Sequence, residues 1–176
     1  MSSSYTLRQR LIAIARKEIG TVESPPSSNR GQRVQLYQST TQLAEEIKTG
    51  WPWCAAFVCW IIREWLKDAE VRAALNLKDL AAAEAWRPKT AAAYGFHQWA
   101  EQRGLLVLDD SPSNTLHTAD IVTFDFSHVG ILETDEGSVI HTIEGNTDGA
   151  GSRDGGGVFA KTRQRSLARK FIRLLP

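Results

Sequence analysis

The chain is poor in several residue types, and each shortage excludes something. Of its 176 residues only two are cysteine, Cys54 and Cys59, and neither sits in a CxxC pair or a Cys/His cluster with zinc spacing. Five residues apart on a helix, they point about 140° away from each other, which disfavours a disulfide. Long apolar runs are missing too: the longest, Ala55 to Ile62, is far too short to span a bilayer. The N-terminus, Met1-Ser2-Ser3-Ser4-Tyr5, lacks the charged and apolar regions of a signal peptide, so synthesis in the cytoplasm is expected. An excess of one charge is absent as well. With 21 basic against 20 acidic residues the net charge is +1, which argues against nucleic acid as the main partner. No Asp-x-Asp-x-Asp-Gly calcium loop occurs, and no metal or cofactor is expected. Repeats, low-complexity tracts and domain linkers are also lacking, so residues 1–176 read as a single domain.

What is present divides the chain in two. The first part carries helical periodicity: Leu7, Leu11, Ile14, Ala15 and Ile19 predict a helix over Thr6 to Glu18, stopped at Gly20. A loop over Glu23 to Gly31 leads to a short helix over Gln32 to Gln38. An apolar helix is predicted from Cys54 to Lys67, entered through Pro52. Further helices are expected over Val71 to Glu84 and Thr90 to Arg103. After Gly104 the pattern becomes short β runs at Leu105–Leu108, Asp120–Phe126, His128–Thr134, Ser138–Glu144, Gly157–Thr162 and Arg169–Leu174. Helices first and strands second predict an α+β fold with N-terminal helices packed on a C-terminal antiparallel sheet.

A nucleophilic cysteine needs its thiolate, which a helix N-terminus and a neighbouring imidazolium both favour. Cys54 is predicted to sit at such a helix head. His128 opens a strand, with Val129 and Ile131 alternating to the other face. Ile143-Glu144-Gly145-Asn146 ends the next strand, and hairpin geometry returns it to His128, offering Glu144 and Asn146 as side chains that could orient an imidazole. Trp51 and Trp53 flank the cysteine and are candidate walls of a substrate groove, with aromatic packing around the helix start as the equal alternative. Cys59, Trp60 and Trp65 read as packing residues, His141 as structural or exposed, His97 and His117 as surface residues. The basic stretch from Lys161 to Arg173 reads as a solvated face.

The runs Trp53-Cys54-Ala55-Ala56-Phe57-Val58, Ala119-Asp120-Ile121-Val122-Thr123-Phe124, Ser127-His128-Val129-Gly130-Ile131 and Ile143-Glu144-Gly145-Asn146, in that order, resemble the CHAP family, the cysteine, histidine-dependent amidohydrolases/peptidases of bacterial and phage cell-wall lytic enzymes. The resemblance covers about residues 50–162. It implies a papain-like fold, Cys54 as nucleophile, His128 as base, Glu144 as the orienting acid and Asn146 as a further polar member of the site. The implied substrate is peptidoglycan, cut as an N-acetylmuramoyl-L-alanine amidase or a peptide endopeptidase. A monomer acting on the wall after delivery by another system is expected, as a phage endolysin or as a bacterial effector with an immunity protein. The alternatives are a catalytically idle wall- or partner-binding domain, and a papain-like protease or transferase acting on other amides. Two departures stand out: Ala119-Asp120 replaces the family's Gly-Asp, and an Ala-rich insert occupies Val71 to Trp86.

Overall fold

The computed structural model describes residues 2–175; Met1 and Pro176, the two ends of the span read from the sequence, lie outside the described residues. The fold is α+β, with the helices preceding the sheet in the chain. Helix α1 (Ser4–Lys17) starts where the Ser3 hydroxyl accepts the Thr6 N–H, and buries Leu7, Leu11, Ile12 and Ala15 along one stripe. Helix α2 (Gln32–Gln38) follows, then a 3₁₀ turn at Ala44–Thr49. Helix α3 (Cys54–Trp65) buries ten of its twelve residues, leaving Arg63 and Glu64 as its solvent edge. A helix apolar on nearly every side must be central. It lies against α1 and α2 on one side and the sheet on the other.

The single helix expected over Val71 to Glu84 is two: α4 (Ala69–Ala74) and α5 (Leu80–Trp86). Asn76 adopts a left-handed φ of 56°, and Asp79 takes the Ala82 N–H at 2.7 Å, so the chain stops and recaps. The helix expected from Thr90 begins only at Gly95 (α6, Gly95–Gln102), because the Thr90 hydroxyl turns back to bond the Ala92 N–H and C=O.

Six strands follow: β1 (Leu106–Leu108), β2 (Ile121–Phe124), β3 (His128–Asp135), β4 (Val139–Thr147), β5 (Gly157–Gln164) and β6 (Ala168–Arg173). They form one sheet in the order β1-β6-β2-β3-β4-β5, antiparallel throughout. Alternation divides the side chains between its faces. Ile121, Val129, Ile131, Ile143, Val158 and Ile172 join the main core under α3, while Val122, Phe124, Leu132, Ile140 and Phe171 form a second cluster. Strand β4 runs further than expected, through a bulge between Glu144 and Thr147, and this irregularity shapes the site.

Candidate active site

Cys54 is the first residue of α3, and no side chain caps that helix end. Its backbone N–H therefore stays available, since the first intrahelical bond runs from Phe57 N to Trp53 O. The entry is braced from a distance. Trp53 is fully buried, stacks on Tyr37 with ring centroids 5.6 Å apart, and donates its indole N–H to Glu23 at 2.8 Å. Its backbone N–H goes to the Asn146 side-chain oxygen at 2.7 Å. Gly145 permits this close approach: a β-carbon there would lie 2.7 Å from Phe57 Cβ and 2.8 Å from the Trp53 ring.

His128 is the first residue of β3, after the tight turn in which Ser127 takes a φ of 58° and returns its N–H to Phe124 O. Its ring is fully buried and stacks on Phe124 and Phe126, with centroids 6.1 and 5.8 Å away. Nε2 lies 3.0 Å from Glu144 Oε2, an ion-pair contact whose direction falls outside hydrogen-bond geometry. That leaves Nδ1 as the nitrogen free for the Cys54 thiol. Burial alone would push the imidazole pKa down, but contact with the Cys54 sulfur and then with Glu144 outweighs it and raises the pKa to about 9.

Glu144 is equally buried, and burial would return a proton to it. His128 and Arg163 overcome that and hold its pKa down at about 2. Arg163 grips both oxygens, Nε to Oε1 at 3.0 Å and Nη2 to Oε2 at 2.5 Å, and the Thr142 hydroxyl donates to Oε1 at 2.5 Å. Gly130 makes room for this carboxylate: a β-carbon there would come within 2.7 Å of Glu144 Cγ.

Three of the residues singled out in the sequence, Cys54, His128 and Glu144, thus meet. Asn146 is brought to the same place but does not touch the imidazole. It takes a left-handed φ of 58° in the β4 bulge, and its amide donates to Gly155 O at 2.8 Å and Asn29 Oδ1 at 3.3 Å while its oxygen holds Trp53. It braces the nucleophile's entry. Trp53 as a groove wall is corrected, because with no exposed surface it is the floor beneath the nucleophile. Trp51 is half-buried, and its backbone carbonyl accepts from Gln38 at 2.9 Å. Cys59 is core: its thiol donates to Thr90 O at 3.4 Å and burial pushes its pKa up to about 12. Both cysteines are free. Trp65 packs with its indole N–H on Leu7 O at 2.8 Å, and Trp60 lies against Tyr37 beneath the Arg33 guanidinium. His141, His97 and His117 are all partly exposed; His141 bridges Glu136 and Thr162, and His97 bonds the Thr123 hydroxyl at 2.7 Å.

The solvated basic face expected over Lys161 to Arg173 is also corrected. Arg163 and Arg165 are buried, the first on Glu144 and the second between Asp110 and Asp135. Strand alternation turns odd-numbered positions of β5 toward the second cluster, and that periodicity was the available signal. Nothing in the sequence pattern marks Glu23 or Thr142 as supports of the site. Among the described residues no group of three or more His, Cys, Asp or Glu side chains is arranged to hold a metal, and no helix is long and apolar enough to cross a membrane. Compared with models of protein families and with curated proteins, the chain matches none.

Proposed function

We propose that this chain is a cysteine-dependent amide hydrolase of the CHAP type that cuts peptidoglycan. The observation that carries the chemistry is the row formed by a thiol at an uncapped helix head, a buried imidazole held above its ordinary pKa, and a carboxylate held ionised behind it. Peptidoglycan as substrate rests on the motif resemblance. Action on the wall follows delivery by another system, and in an effector setting an immunity protein is the partner.

In this mechanism His128 takes the Cys54 proton to form a thiolate–imidazolium pair, with Glu144 stabilising the positive ring. The thiolate adds to the amide carbonyl, and the oxyanion is met by backbone N–H groups at the head of α3, that of Cys54 among them. His128 then gives its proton to the departing amine, leaving an acyl-thioester, and water attacks this with His128 again as base. An imidazolium is required, so activity falls as pH rises through about 9, where His128 gives up its proton.

Digestion of purified peptidoglycan followed by mass spectrometry of the released muropeptides tests the proposal and identifies the bond. Cys54→Ala and His128→Ala should each abolish release while near-UV circular dichroism stays native. Full release by Cys54→Ala would overturn the mechanism. Binding without hydrolysis by the unaltered chain would point to an idle binding domain.

A further inference from the structure

Arg163 is not needed to explain why a thiol sits beside an imidazole, yet it is buried in the site and each of its three guanidinium nitrogens is bonded. It is 9% exposed, reaches Glu144 through two separate nitrogens, and donates its third, Nη1, to Gly151 O at 2.9 Å. Its guanidinium lies over Phe124 and Phe126 at 5.6 and 5.3 Å from their centroids, the same two rings on which His128 stacks. One aromatic shelf therefore carries both cations, with Glu144 between them.

The charges facing one another here are Cys54 from α3, His128 from β3, Glu144 from β4 and Arg163 from β5. In the ion-paired state they alternate in sign and sum to zero. Removing Arg163 leaves a buried site with one excess negative charge, and burial is relieved most directly by protonating Glu144. A protonated Glu144 no longer counters the imidazolium, and the thiolate–imidazolium pair loses support. We infer that Arg163 is a positioning residue that acts through Glu144, keeping the carboxylate ionised and aimed so that the Cys54–His128 ion pair persists at acidic pH. This rests on the proposed cysteine chemistry and extends it to a fourth member of the row. Arg163 touches neither thiol nor imidazole, so its effect belongs to the pH dependence of the site.

The test is the rate of Cys54 alkylation by iodoacetamide as a function of pH, read by intact mass, in the unaltered chain and in Arg163→Gln, Arg163→Met and Arg163→Lys. Cys59 serves as the internal fold check, because it is fully buried and labels only when the chain opens. The two neutral variants should lose alkylation at a pH higher by about one unit or more as the solution is acidified. Arg163→Lys should stay near the original limb. A neutral variant with Cys59 protected and an unmoved limb overturns the inference, as does a lysine variant displaced as far as the neutral ones. The ¹³C carboxyl resonance of Glu144 in the unaltered chain gives a measurement free of variants. It should titrate well below 4.5, and titration at or above 4.5 also overturns the inference. Alkylation does not depend on the substrate, so a chain inert on peptidoglycan but with the displaced limb would sink the substrate assignment and leave the role of Arg163 standing.

Discussion

Single atoms decide whether Glu144 reaches His128. A β-carbon at Gly130 would press on Glu144 Cγ at 2.7 Å, in a position walled by the Ile143 carbonyl. Gly130→Ala should therefore tilt the carboxylate away from the imidazole. The expected outcome is a kcat lowered at least about tenfold with little change in KM, since the loss falls on charge stabilisation and not on binding. An unchanged kcat would show that Glu144 has room to spare. Gly145→Ala strikes the neighbouring strand, β4, against Phe57 and Trp53. Overpacking of this kind costs roughly 1–3 kcal/mol, measurable as a lower urea midpoint at constant m-value. At this scale Cys54 and His128 were legible in the sequence, because a helix head after a proline and the first residue of a β run are local features. The function of Gly130 and Gly145 was not, since each concerns the atom that would meet a side chain from another element.

At the level of elements, the β4 bulge and the head of α3 form one unit. Asn146 stands in the left-handed region that an asparagine tolerates, and its amide satisfies Trp53 N–H and Gly155 C=O, both otherwise buried. Asn146→Gly keeps the backbone freedom and deletes the amide. Leaving such groups unpaired costs about 1–3 kcal/mol each, so chemical denaturation should show a loss of that order, together with lower activity as the entry to Cys54 loosens. Asn146→Asp, which retains an acceptor for Trp53 N–H, should recover part of both. If Asn146→Gly matched the original chain in stability, the bracing role would fail. The sequence placed Asn146 near the site through the hairpin return of β4, but the bulge, which sets its side chain toward Trp53 and not toward the imidazole, depends on strand pairing across β5. The same distinction separates the helices. Amphipathic α1 was plain from its spacing, whereas the break between α4 and α5 turned on Asn76 and on the cap at Asp79.

Across the whole molecule, the buried charges link stability to pH. Glu144 falls from an ordinary 4.5 to about 2 on folding, so its contribution is fully present above 4.5 and is lost as pH falls through 2. His128 rises from 6.5 to about 9, so its contribution is fully present below 6.5 and is lost as pH rises through 9. Both act together between pH 4.5 and 6.5. The difference in unfolding free energy between the unaltered chain and Glu144→Gln, followed by urea titration, should be largest in that window and shrink on either side. A difference independent of pH would mean that the pair does not titrate with folding.

The sequence alone determined the α+β order of the chain, the helix that begins at Cys54 and the strand that begins at His128. These rest on periodicity, proline entry and turn chemistry, all of which act within a few residues. Only the tertiary structure decided that Trp53 is floor and not wall, that Asn146 holds the nucleophile's entry, and that Arg163 from the last but one strand stands behind Glu144. Those contacts join residues far apart in the chain, and they follow from strand register, one bulge and two glycines, which set distances that no local pattern encodes.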